Sequence, residues 1–377
     1  MDIEVKTEYL RKVVSCASRA TASKAIQPIL GSVLLSCENG SLVVSATDLD
    51  ISIECKLPAQ ISNPGRITLP AKKLDEIVSK IPGEEITFSI DENKLTKIIS
   101  NRSRFQISGA SPEDFPKVVK KTHEESTYEI NQDELLQAVL LTTFAASRFE
   151  SNSILSGVNF EIQADRFEIG ATDGSRLARY IGKLKSKTGD KVKQSVVIPS
   201  RALVELERLI TNFKEGNDTV SFYFMPGQII FQNNDFTLGT RLIDGVFPAY
   251  DKLIPNEQSQ KAIFLRAELL SALERVAILS NERTSVIKLS IEGNGKTAQL
   301  SANSPDYGNA TDEVEINYTG GEVEVAFNYK YLSDVLRNLK SEKVFVELEN
   351  SLSPVLVKPT EEVGYSYTYL IMPVQLR

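Results

Sequence analysis

An α+β protein built from three tandem, similar units is what the 377-residue chain predicts. Two observations predict it. A pattern returns every 129 residues, and helical and strand periods follow one another in the same order each time.

The repeat is clearest in three segments: ITLPAKKLDEIVSKI from Ile67, VVIPSRALVELERLI from Val196 and VAFNYKYLSDVLRNL from Val325. Pro70, Pro199 and Asn328 stand at successive intervals of 129, as do Lys72, Arg201 and Lys330. Leu74, Ile77 and Ile81, with their counterparts Leu203, Leu206 and Ile210 and then Leu332, Val335 and Leu339, are spaced three, four and seven apart, which makes one apolar helical stripe. Each helix runs into a strand of period two, near Ile86, Val220 and Val344. A hairpin recurs too: SVLLSCENGSLVVSATD ends at Asp48, GVNFEIQADRFEIGATD at Asp173, and SVIKLSIEGNGKTAQLSANSPD at Asp306. Before each hairpin lies a further helical stretch, 7–23, 131–147 and 266–281, so every unit holds two helices on antiparallel sheet. The predicted domains are 1–120, 127–252 and 260–377.

Composition is globular, with 41% hydrophobic and 25% charged residues, and the net charge is −7. No apolar run is long enough for a membrane helix and the opening residues are charged, so a cytoplasmic protein without membrane association is expected. Cys16, Cys37 and Cys55 have no metal-ligand spacing and read as buried free thiols; no metal and no cofactor are expected. The six helical stretches together carry +5, which leaves −12 for the rest (−7 − 5). Arg201 and Arg208, like Lys330 and Arg337, lie seven apart on one helical face. That face suits phosphates, or is simply solvated.

An enzyme finds little to work with. The single histidine, His123, lies in a polar stretch that reads as a linker, and phosphate-binding glycine loops are absent. Asp173 reads as a turn residue, although a two-carboxylate hydrolase built on Asp48 and Asp173 stays open. A scaffold that binds proteins in its clefts without touching DNA is the other alternative.

PILGSVLL from Pro28, ATDGSRLA from Ala171, LIDGVFPAYDKLIP from Leu242, AILSNE from Ala277 and LIMPVQL from Leu370 together resemble one family along the whole chain, the bacterial DNA polymerase III beta subunits or sliding clamps. The resemblance implies three domains of one fold per subunit, two subunits joined head to tail in a closed ring, and helices lining the hole around double-stranded DNA. The ring is a non-enzymatic processivity factor for DNA replication. It holds the DNA polymerase III alpha subunit, clamp-loader subunits and other proteins that carry a clamp-binding motif. DNA-binding residues carried over are Lys24, Lys72, Arg148, Arg201, Arg275 and Lys330. The implied pocket for partner peptides comprises Leu155, Thr172, Gly174, Ser175, Arg176, Leu177, Pro248, Asn328, Tyr331, Leu370, Met372, Pro373 and Val374. An apolar cleft with a few polar groups at its rim suits a peptide's hydrophobic anchors; the lesser alternative is that Leu155, Leu177 and Leu370 are merely core. Ser175, Thr284 and Gln375 depart from residues common in the family, which bears on partner preference. The homodimer interface that the resemblance implies falls on Arg102, Arg104, Phe105 and Ile107 in the first domain and on Ile278, Leu279 and Glu313 in the third. Ile278 and Leu279 have a core reading as well, as the end of their helix's apolar stripe.

Overall fold

The computed structural model describes all residues except 23–26, 39, 117–125, 149–152, 189–193, 294, 362–363 and 376–377. Lys24 and His123 therefore lie outside the described residues. The protein is α+β, with six α-helices among the described residues: α1 Thr7–Ser18, α2 Ala71–Lys80, α3 Gln132–Thr142, α4 Ser200–Asn212, α5 Arg266–Ala277 and α6 Tyr329–Asn338.

Each helix begins on the residue after a strand ends, the strands being Asp2–Lys6, Gly65–Pro70, Thr127–Asn131, Gln194–Pro199, Gln260–Leu265 and Val323–Asn328. The turn chemistry is local. Pro70 precedes α2 without a side-chain cap, and the Asn131 and Asn328 side chains accept from the first free N–H groups of α3 and α6. The apolar stripes face inward: Leu10, Val13, Val14 and Ala17 on α1, Leu203, Leu206 and Ile210 on α4, and Leu332 and Val335 on α6 are buried. Ile77 is only half-buried, and its neighbour Val78 takes the core position instead.

Helices α1 and α5 end earlier than their apolar periods predict. After Ser18 the N–H groups of Arg19, Ala20 and Thr21 turn to carbonyls three residues back, and Ile278, Leu279 and Ser280 do the same after α5. Helix α2 stops where Ile81 becomes extended ahead of Pro82.

The chain forms two compact units, Met1–Leu136 with Leu184–Lys191 and Arg201–Leu242, and Gln137–Lys183 with Val192–Ser200 and Ile243–Arg377. They cut across the sequence repeat because sheets continue from one repeat into the next. In the first unit the strand Phe236–Arg241 pairs antiparallel with Ile51–Pro58 and completes a nine-stranded sheet; a separate five-stranded sheet ends at Ser103–Ser108. In the second unit Arg176–Lys183 pairs with Ser366–Ile371 within a twelve-stranded sheet. The three predicted hairpins are present, Ser32–Glu38 with Ser41–Thr47, Gly157–Gln163 with Arg166–Thr172, and Val286–Ile291 with Thr297–Ser304. Cys16, Cys37 and Cys55 are buried free thiols, and burial pushes Cys16 and Cys37 each up to about 11. No helix among the described residues is long and apolar enough to cross a membrane.

Candidate functional site

The second unit contains the tightest polar construction among the predicted site residues. Between Arg166–Thr172 and Arg176–Lys183 the chain turns through 173–176. Asp173 Oδ1 accepts from the backbone N–H groups of Ser175 at 2.9 Å and Arg176 at 3.1 Å, while Thr172 Oγ1 accepts from Gly174 and donates to the Arg176 carbonyl. Gly174 has φ 90, and a Cβ there would meet nothing, so the backbone conformation and not crowding calls for glycine.

Arg176 is the centre of this construction, at 6% exposure. Its Nε donates to Asp173 Oδ2 at 2.9 Å, Nη1 to Asp334 Oδ2 at 2.7 Å and Nη2 to the Phe144 carbonyl at 2.6 Å. The guanidinium also lies over the rings of Tyr331, at 4.5 Å, and Phe144, at 5.7 Å. Burial alone would lower its pKa, but Tyr369 and the two carboxylates outweigh burial and raise it, so the side chain stays charged. One cation thereby ties the turn, helix α6 and the short 3-10 turn Thr143–Ala145 together.

Beside this anchor is a buried apolar cluster. Leu177 lies in register with Leu370, and Leu370 with Leu356 on the next strand; these three and Tyr250 are buried together, with Phe247 and Ile254 packed half-buried against them. Leu177 and Leu370 are thus core residues. The Tyr250 hydroxyl donates to Glu168 Oε1 at 2.7 Å and accepts from Asn159, and Arg179 holds Glu168 through two bonds. Gly170 makes room for this, since a Cβ would collide with the Tyr250 phenol.

The chain's end crosses the turn. Met372 N–H bonds to the Ser175 carbonyl and Val374 N–H to the Ala326 carbonyl, which leaves the side chains of Met372 and Val374 exposed at 42% and 38%. Val246, Pro248 and Leu253 are exposed, Leu155 and Pro373 half-buried. Asn328 caps α6, and the Tyr331 carbonyl accepts from Tyr369. Sequence reasoning missed Asp334, Phe144, Tyr250 and Glu168. For Asp334 a signal existed: acidic residues recur at intervals of 129 at Glu76, Glu205 and Asp334, just as the basic ones do.

The basic positions differ in their surroundings. Lys72 on α2 and Lys330 on α6 are exposed and form no ion pair among the described residues, and Arg148 is exposed. Arg201 is paired with Asp48 at 2.7 Å and Arg275 with Asp312 at 2.6 Å. Arg208 and Arg337, further along α4 and α6, are held by Glu205 and Glu274.

At the predicted subunit contact, Ser103–Ser108 is an edge strand in which Arg104 is exposed and Phe105 and Ile107 half-buried. Arg102 sits exposed in the turn before it. The strand Gly308–Thr319 pairs along 308–315 with Thr297–Ser304 and on its other side only along 316–319, so its first part has an open side among the described residues. Ile278 is 78% exposed and Leu279 half-buried; the core reading of Ile278 is excluded. Glu313 is exposed.

Three family descriptions match the chain: "DNA polymerase III beta subunit, N-terminal domain" over residues 1–119, "central domain" over 129–249 and "C-terminal domain" over 251–375. The chain is 33% identical to the beta sliding clamp of Synechococcus elongatus and 35% identical to that of Synechocystis sp., each match covering 100% of both chains. Among solved structures it is similar to the Pseudomonas aeruginosa sliding clamp (DNA polymerase III subunit beta) bound to griselimycin, with TM-score 0.90 and 29% identity, and to the Bacillus subtilis sliding clamp, with TM-score 0.89 and 28% identity; both cover 100% of the chains compared.

Proposed function

The chain belongs to the DNA polymerase III beta subunit family and is a non-catalytic sliding clamp of DNA replication, and on that premise we propose how its residues do this work. Domains 1–120, 127–252 and 260–377 of two subunits join head to tail as a closed ring around duplex DNA in the cytoplasm. The phosphate-facing role falls to Lys24, Lys72, Arg148, Arg201, Arg275 and Lys330. Phosphate contacts carry no sequence information, and a topological link needs no tight ones, so the ring slides.

Partners dock at the apolar surface around Met372 and Val374. The observation that carries this is the Arg176 anchor: a buried cation with three hydrogen-bonded partners fixes the turn across which Met372 and Val374 are displayed. A rigid frame under exposed apolar side chains lowers the ordering cost of capturing a peptide's hydrophobic anchors. Polymerase alpha subunit, clamp-loader subunits and other motif-bearing proteins compete for it.

Ring closure uses edges. The strand Ser103–Ser108 of one subunit adds to the open side of Gly308–Thr319 in the next, with Arg102 and Arg104 meeting Glu313 and Glu315, and with Phe105 and Ile107 meeting Ile278 and Leu279.

Release from DNA is the test of encirclement. Protein loaded by its clamp loader onto nicked circular DNA is expected to remain there through gel filtration and to run off once the circle is cut. Equal retention on circular and linear DNA would overturn it.

A further inference from the structure

The basic positions assigned to DNA fall into two physical kinds. Lys72 and Lys330 have no carboxylate against them among the described residues, whereas Arg201 and Arg275 are each held by one. The acids that hold them are fixed by their own backbone. Asp48 Oδ1 accepts from the N–H groups of Asp50 and Ile51, leaving Oδ2 for Arg201 Nη1; Asp48 is 9% exposed in its side chain and Arg201 54%. Asp312 Oδ1 accepts from Glu313 N–H, leaving Oδ2 for Arg275 Nε, whose Nη1 donates to Ser271. The hydrogen bond from Arg275 also holds the Asp312 carboxyl below its usual range.

We propose that Asp48 and Asp312 are attenuating residues that hold Arg201 and Arg275 away from phosphate, so that the clamp grips DNA with less charge than its basic residues supply. This rests on the reading of these positions as DNA-facing. A guanidinium already paired with a carboxylate must leave it before it can replace a phosphate counterion, and only that replacement contributes to affinity and its salt dependence. The partner of an exposed pair is held weakly, so the effect is graded competition. Such a graded grip suits a protein whose DNA contacts must break at every step.

The fixed geometry provides conservative variants. In Asp48→Asn and Asp312→Asn the remaining side-chain carbonyl still accepts the same backbone N–H groups while the charge is lost. Binding of the full-length protein to a short linear duplex is measured by fluorescence anisotropy between about 50 and 200 mM salt, with melting curves as the folding check. Each variant is expected to bind about two- to fivefold more tightly at the low-salt end, the ratio an exposed ion pair corresponds to, and to steepen the salt dependence by about 0.9 in log–log slope, one phosphate's share. Arg201→Ala is expected to change little in the native background and to cancel the gain in Asp48→Asn. Asp50→Asn serves as control, because Asp50 is two residues from Asp48, is 71% exposed and pairs only distantly, at 3.9 Å, with Arg241.

An equal gain from Asp50→Asn, or an Arg201→Ala loss in the native background as large as that of Lys72→Ala, would overturn the inference. If Lys72→Ala weakens binding while neither asparagine variant strengthens it, attenuation fails and the DNA-facing reading stands. If Lys72→Ala is without effect at every salt concentration, the DNA-facing reading itself fails and the inference falls with it.

Discussion

Leu49 and Gly174 stand one residue after Asp48 and Asp173, in two turns built alike, and both have positive φ, 79 and 90. In the first repeat a leucine bears that conformation at a cost; in the second, glycine avoids it. Since a Cβ at Gly174 would meet open space, Gly174→Ala is expected to lower stability by the backbone cost alone, about 1–2 kcal/mol, read from denaturant midpoints. Met372→Ala separates binding from folding at the same site. Met372 is 42% exposed, so its truncation should leave the melting curve nearly unchanged while weakening capture of a polymerase-derived peptide severalfold; unchanged affinity in the folded variant would count against the pocket. At this scale much was legible. The ATDGSRL motif pointed at the turn and LIMPV at the surface beside it, because both are continuous in sequence. Asp334 and Phe144 escaped because they meet Arg176 from 158 and 32 residues away, and one sequence carries no sign of which distant acid a buried arginine will find.

Among elements, the helices and hairpins were legible because period and turn chemistry are local, and helix ends were the weaker part. Helices α1 and α5 lose their last predicted turn to tighter three-residue bonds, which hydrophobic periodicity does not encode. Sheet continuity was not legible either. The pairing of Arg176–Lys183 with Ser366–Ile371 joins strands almost two hundred residues apart, and only their shared alternation hints at it. That pairing and the Arg176 cation are two independent ties between the middle and the end of the chain. Arg176→Ala would keep the strand ladder but leave Asp173 and Asp334 without their cation. Removing one member of a buried ionic network costs about 3–5 kcal/mol, so a melting transition lowered by far more than that of Gly174→Ala is expected. Equal transitions for the two variants would mean that the ladder alone holds the turn.

For the whole molecule, the 129-residue repeat made the three-unit architecture legible, because a period survives where individual residues drift, while the family resemblance was carried by continuous motifs such as ATDGSRLA and LIMPVQL. Association of two subunits is harder to read from one chain, and here exposure decides. A helix-ending isoleucine that finished the core would be covered, yet Ile278 is 78% exposed, while Leu279 beside it is half-buried. Burying an isoleucine or leucine side chain is worth roughly 1.5–3 kcal/mol, and a two-subunit ring contains the contact twice, so truncation is counted twice per dimer. Ile278→Ala with Leu279→Ala should therefore give a folded monomer in sedimentation at micromolar concentration, with a melting point lowered only by the covered part of Leu279. Glu313→Gln, at the charged rim, should instead weaken association modestly and more at low salt than at high, because screening shortens to about 10 Å at 0.1 M. A double variant that stays dimeric while its melting point falls sharply would assign the effect to the covered part of Leu279 and remove both side chains from the interface. A monomer that melts like the native chain would fix the contact at the end of α5, and the open edge of Gly308–Thr319 would then be the strand to which the next subunit adds.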